Sequence, residues 1–289
     1  MFDRILFPTD GSDTTVAVFE YVQQIAREHG ASVTVLNVAD TGRDSVTQIS
    51  GDVVDALEQD GERIVADLAE HASGIDVDTE VLQGDPAATV EEYADRIGAD
   101  LIVMPTHGRS GLERLLLGSV TERVINTASV PVLAVNPDHG AWTYPPANVL
   151  VPTDGSAGAA RALASGIDLA GATGATLHLL TVVETASLGF DARSVVKDEQ
   201  LEATGRRILD DATAQAHASL DDVQDVIRDG EPYREIDSYI DDAGVDLVVM
   251  GTHGRTDFSR YLLGSVANKL VRSSPVPVLT VRAAADDSV

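Results

Sequence analysis

The 289-residue chain repeats its own pattern once, and that duplication constrains the fold more than any other feature. Leu6-Phe7-Pro8-Thr9-Asp10-Gly11-Ser12 returns 144 residues later as Leu150-Val151-Pro152-Thr153-Asp154-Gly155-Ser156. Met104-Pro105-Thr106-His107-Gly108-Arg109 returns as Met250-Gly251-Thr252-His253-Gly254-Arg255, now at an offset of 146, and segments 116–120 and 130–133 return at the same offset. The two extra residues therefore enter between the second strand of the repeat and its Gly84-Asp85-Pro86 turn, whose counterpart is Gly230-Glu231-Pro232. A period this long is a whole domain, not a solenoid unit. Copy one spans 1–136 and copy two 148–282. Segment 137–147, with Pro137, Gly140, Pro145 and Pro146, reads as a linker, and 283–289 as an acidic tail.

Within each copy, short apolar runs alternate with longer helical patterns. Copy one has strand candidates at 4–7, 32–38, 76–82, 101–104 and 132–135, and helical stretches at 13–30, 51–73, 86–98 and 119–128. Copy two repeats the order, with strands near 148–151, 175–182, 222–228, 246–250 and 276–281. Runs that are apolar throughout suit strands covered on both faces of a parallel sheet. Five such strands separated by helices predict a doubly wound α/β sheet with helices on both faces in each copy. Pro86 and Pro232 mark helix starts, where a missing N–H costs nothing.

Composition narrows the function. Twenty Lys and Arg stand against 47 Asp and Glu, a net charge of −27. Such a surface repels phosphate backbones and disfavours anionic membranes, so neither nucleic acid nor a membrane is expected as a partner. Aromatics at 4% leave little for base stacking. Only Lys197 and Lys269 are lysines, and an acidic, arginine-dominated, lysine-poor chain points to a salt-rich cytoplasm, where carboxylate repulsion is screened. There are no cysteines, hence no thiolate metal site. No apolar run is long enough to span a bilayer and no leader pattern precedes the first strand, so a cytoplasmic location is expected.

Ligands of open α/β sheets bind beyond the carboxyl ends of the strands. Two segments per copy fall there. One is Pro8-Thr9-Asp10, with its counterpart Pro152-Thr153-Asp154. Its aspartate can accept from ribose hydroxyls or an exocyclic amine, or simply order the turn, and Ser12 and Ser156 are placed to cap the next helix. The other follows the fourth strand: Gly251-Thr252-His253-Gly254, nine residues, then Gly264-Ser265-Val266 entering a helix. Glycines allow close backbone approach, and a helix start offers free N–H groups to phosphate. His107 and His253 lie in the loop within reach of a phosphate, but are expected rather to face solvent as turn residues. Arg109 and Arg255 are either phosphate partners or solvated loop arginines.

The Asp turn and the G-x-x-G-x₉-G-[ST] loop resemble the universal stress protein family in tandem form. The resemblance covers both copies apart from linker and tail. It implies a five-stranded parallel sheet in flavodoxin-like order 3-2-1-4-5, and ATP as ligand with Mg²⁺ or Mn²⁺ through the phosphates. It assigns Asp154 and Val182 to ribose and adenine, and Met250 and Gly251 to the flanks of the nucleoside. Gly254, Gly264, Ser265 and Val266 would hold the phosphates. The copy-one matches are Asp10, Val38, Met104, Gly108, Gly118, Ser119 and Val120. Copy one departs at Pro105, which stands where copy two has Gly251 and fills space that glycine leaves for a ligand. Copy two is therefore the better expected site.

Other nucleotide chemistries lack their motifs: there is no G-x-G for a dinucleotide fold, no Gly-Lys pair for a P-loop, no H-E-x-x-H and no nucleophile elbow. Three readings remain. The first is an ATP-binding regulatory protein of the stress response without efficient turnover. The second is a slow ATPase or self-phosphorylating enzyme, and the third an interaction protein with no nucleotide. Members of the family commonly pair through the fifth strand. Segments 130–135 and 276–281 are accordingly expected to join the two copies in an intrachain pseudo-dimer, leaving room for a further homodimer.

Overall fold

A computed structural model describes residues 1–12, 14–41, 51–108, 117–140, 142–184, 192–254 and 263–283. The chain divides into two compact units, Met1–Pro145 and Pro146–Val289.

In unit one, Ile5, Leu6 and Phe7 are all fully buried, so the first strand has no solvent face. That is the condition of a parallel strand sandwiched between helices. The unit runs β1 (Arg4–Pro8), α1 (Thr15–His29), β2 (Ser32–Asp40), α2 (Gly51–Glu70), β3 (Asp76–Gly84), α3 (Pro86–Ile97), β4 (Leu101–Pro105), α4 (Ser119–Thr127) and β5 (Val132–Val135). All strand pairs are parallel, in the order β3-β2-β1-β4-β5. The order reverses between β1 and β4, which opens a crevice at their carboxyl ends.

Unit two repeats this with β6 (Asn148–Pro152), α5 (Ala157–Thr173), β7 (Thr176–Val183), α6 (Ala192–His217), β8 (Val223–Asp229), α7 (Pro232–Ala243), β9 (Leu247–Gly251), α8 (Ser265–Ser273) and β10 (Val278–Val281). Its order is β8-β7-β6-β9-β10, also parallel. The doubly wound α/β class and the 3-2-1-4-5 order stand for both units. No helix among the described residues is long and apolar enough to cross a membrane.

The two copies begin their first helices differently. Ser156 is the N-cap of α5 and its hydroxyl accepts from the Ala159 N–H at 3.1 Å. Ser12 does not cap α1: that helix starts only at Thr15, behind Thr14, with no side-chain cap bond. The Ser12 hydroxyl instead meets those of Thr14 and Thr15, at 3.3 and 3.0 Å. Threonine is stiff at χ1 and its hydroxyl competes locally for hydrogen bonds, so consecutive threonines delay the first helical turn.

The linker is partly ordered against unit one. Pro137–His139 forms a 3₁₀ turn. Beyond it Tyr144 is buried, its hydroxyl 2.6 Å from His29 Nε2, and its N–H donates to Gln24 Oε1 at 2.9 Å. The Trp142 ring packs 6.0 Å from that of Tyr21.

Candidate functional site

In unit two the end of β6 is tied to β7 before it turns. The Thr153 N–H donates to the Leu180 carbonyl at 2.8 Å, and the Thr181 hydroxyl donates to the Thr153 carbonyl at 3.1 Å. Asp154 then orders the turn, with Oδ1 accepting from the Ser156 N–H at 2.9 Å. Gly155 adopts φ +77°, a conformation that favours glycine, and a Cβ there would lie 3.1 Å from Ile208 of α6. The turn thus passes directly beneath α6, with Asp154 at the rim of the crevice.

The second segment is held from β9 and β10. The Thr252 N–H donates to the Val281 carbonyl at 3.1 Å, and the Gly264 N–H closes the loop onto the Thr252 carbonyl at 2.8 Å. Helix α8 starts after Gly264, which has no side chain to cap it, and its first turn carries no acidic residue. Its leading N–H groups therefore present positive partial charge without a side-chain acceptor.

His253 is turned inward by its neighbour: Nδ1 lies 2.9 Å from the Thr252 hydroxyl, and Nε2 is buried with no hydrogen-bond partner among the described residues. In unit one His107 Nδ1 meets the Thr106 hydroxyl at 3.2 Å and Nε2 lies 3.7 Å from Asp138 Oδ1. The expectation that these histidines face solvent is overturned. The threonine before each supplies a local partner that draws the ring in.

A cavity of about 560 Å³ joins the two segments. Pro152, Thr153, Asp154, Val182, Met250, Gly251, Gly254, Gly264, Ser265 and Val266 all line it, and Arg255 lies outside the described residues. Among the described lining residues the carboxylates are Asp154 and Glu184, and none is Lys or Arg. One wall of the cavity is not among the residues expected from the sequence. Leu201, Thr204, Gly205 and Ile208 of α6 close it from the side, with Leu201 42% exposed at its mouth. A signal exists: Leu57, Gly61 and Ile64 of α2 repeat Leu201, Gly205 and Ile208 at the offset of 144.

Unit one brings its own pair of segments together. Asp10 Oδ1 accepts from the Ser12 N–H at 3.0 Å, and a Cβ on Gly108 would fall 2.1 Å from Asp10 Oδ2. Pro8, Thr9, Val38 and Met104 sit in or just beyond β1, β2 and β4, while Gly118, Ser119 and Val120 form the start of α4. Arg109 lies outside the described residues. Two differences set unit one apart. Glu122 occupies the first turn of α4, where α8 has Asn268, and a carboxylate at a helix N-terminus cancels the field that attracts phosphate.

The second difference is Pro105, and its effect is not the one expected from the sequence. The space a Cβ would need at Gly251 is taken by α5: it would lie 2.6 Å from the Gly158 carbonyl carbon and 2.9 Å from the Gly158 Cα. Gly251 leaves room for a helix backbone, not for a ligand.

The family model of universal stress proteins matches residues 1–136 and again 147–282. The chain belongs to the universal stress protein family. Universal stress protein MJ0531 of Methanocaldococcus jannaschii is 38% identical over 140 residues, covering 47% of this chain and 82% of that protein. Universal stress protein Mb2028c of Mycobacterium bovis is 32% identical over 237 residues, covering 78% of each chain, so it matches across both units. A universal stress protein from Archaeoglobus fulgidus superposes with a TM-score of 0.74 at 25% identity, over 97% of this chain and 98% of that one.

Proposed function

We propose that unit two binds an adenine nucleotide, ATP with a divalent cation, and that the chain acts as an ATP-binding regulatory protein of the stress response without efficient turnover. The observation that carries this reading is the single cavity shared by the Asp154 turn and the α8 start. Its lining includes the apolar side chains of Leu180, Val182, Ile208 and Met250 as well as the Gly264-Ser265 helix start. An uncharged base suits the first and a phosphate chain the second. Asp154 then accepts from the ribose. Gly254, Ser265 and Val266 offer backbone N–H groups and a hydroxyl to phosphate oxygens, while Gly264, whose own N–H is held by the Thr252 carbonyl, leaves room for their close approach.

The resemblance also implies Mg²⁺ or Mn²⁺, hard cations that take oxygen ligands. Asp154 and the Ser265 hydroxyl are donors of that kind in the cavity, and the cation would reduce the repulsion between the phosphates and the carboxylates of Asp154 and Glu184. The −27 charge further supports a salt-rich cytoplasm as the working environment.

Titration calorimetry of the full chain with Mg²⁺-ATP tests the reading. One tight site per chain is expected, weakened about tenfold or more by Asp154→Ala, equivalent to about 1.4 kcal/mol, and little changed by Asp10→Ala. Absence of heat with ATP, together with no nucleotide extracted from the purified protein, would refute it. A turnover assay on the same sample separates storage of ATP from slow hydrolysis.

A further inference from the structure

The close approach of α5 to β9 rests on two glycines facing each other. A Cβ on Gly158 would stand 2.6 Å from the carbonyl oxygen of His253 and 3.6 Å from the Cα of Gly251. A Cβ on Gly251 would in turn stand 2.6, 2.8 and 2.9 Å from the carbonyl carbon, oxygen and Cα of Gly158. Every one of these neighbours is backbone, so no side chain can swing aside to admit an added carbon. The first turn of α5 and the loop after β9 are in direct main-chain contact.

That contact fixes a peptide of the site. The His253 carbonyl is the one bonded to the Gly254 nitrogen, so an atom resting against it also sets the orientation of the Gly254 N–H. Gly254 borders the cavity, as do Ser156 and Ala159 on either side of Gly158. Unit one has neither glycine. The counterpart of Gly158 is Thr14 and that of Gly251 is Pro105. The two replacements occur together, as expected of residues that share one contact, and α1 correspondingly begins later and lies less closely along β4 than α5 along β9.

We propose that Gly158 is a positioning residue for the phosphate end of the unit-two site, and that the Thr14–Pro105 pair withdraws the same support from unit one. Gly158 itself touches no ligand. It lets the loop carrying Gly254 settle against the backbone of α5. This rests on the nucleotide reading above and adds to it a residue outside the loop motif.

Two variants of the full chain test it, each titrated with Mg²⁺-ATP and, separately, with adenosine. Gly158→Ala inserts one carbon against the His253 carbonyl. The double replacement Gly158→Thr with Gly251→Pro gives unit two the pair with which unit one folds, and so guards against a variant that fails only by not folding. ATP affinity is expected to fall at least about tenfold in both, while in Gly158→Ala, which leaves every cavity-lining residue in place, adenosine affinity stays within about twofold. A residue that merely supports the fold would weaken both ligands together. Equal loss of ATP and adenosine in Gly158→Ala, or ATP affinity unchanged in either variant, would overturn the proposal. If the unaltered chain binds neither ligand, the nucleotide reading itself has failed.

Discussion

Single residues decide how the two copies of one motif diverge. Ser156 and Ser12 occupy the same place in the repeat, yet only Ser156 satisfies a helix N–H with its side chain. Ser156→Ala is therefore expected to lower stability by about 1 kcal/mol, and Ser12→Ala by clearly less. Urea unfolding midpoints of the two variants provide the measurement. The motif is legible in the sequence because both copies spell it alike. Its local use is not, because that depends on the residues next along the chain: Ala157-Gly158 in one copy, Asp13-Thr14-Thr15 in the other. Pro105 stands out in the same way, but its physical meaning lies in its counterpart Gly251, whose backbone neighbour Gly158 no motif pairs with it.

At the level of elements, the buried strands can be read from unbroken apolar runs and two helix starts from Asp85-Pro86 and Glu231-Pro232, whereas β3 and β8 are half-exposed and of mixed polarity. Such signals are local, and buried parallel strands display them on every residue. The α6 wall of the cavity escapes such a reading because an apolar face on a helix has the same pattern whether it covers a core or a ligand. Elements also hide chemistry in their undersides. On β7, His178 is buried, with Nδ1 2.9 Å from the Tyr239 hydroxyl of α7 and Nε2 3.2 Å from Asn148 Oδ1 of β6. Burial pushes its pKa below the usual histidine value, against a smaller opposing pull from Asp222. His29 on α1 is lowered chiefly by burial as well.

Below about pH 6.5 the unfolded chain takes up protons at these two positions that the folded chain refuses. Their contribution to stability is thus complete above that pH. It is lost as the pH falls from there through the depressed folded values. Thr34 occupies the equivalent register on β2, so His178→Thr introduces the residue unit one uses. The variant should be less stable at pH 7.5, but the wild-type advantage should shrink by pH 5. Melting curves at both values check this, and a difference that stays constant or grows would count against it.

For the molecule as a whole, charge is the largest influence that no single contact reveals. With −27 distributed over a 30.4 kDa chain, long-range repulsion between carboxylates opposes folding in dilute buffer. The screening length drops from about 10 Å at 0.1 M salt to about 3 Å at 1 M. The melting midpoint is expected to rise steadily into molar KCl, and a flat or falling midpoint would remove the case for a salt-adapted protein. The ordered linker has a different use. The chain's one tryptophan, Trp142, sits in it against Tyr21, within unit one. Indole emission is therefore a built-in optical label for one half of the chain, while circular dichroism reads both. An ATP titration that leaves tryptophan emission unchanged but raises the melting temperature of a second, dichroic transition would assign the ligand to its unit without any substitution.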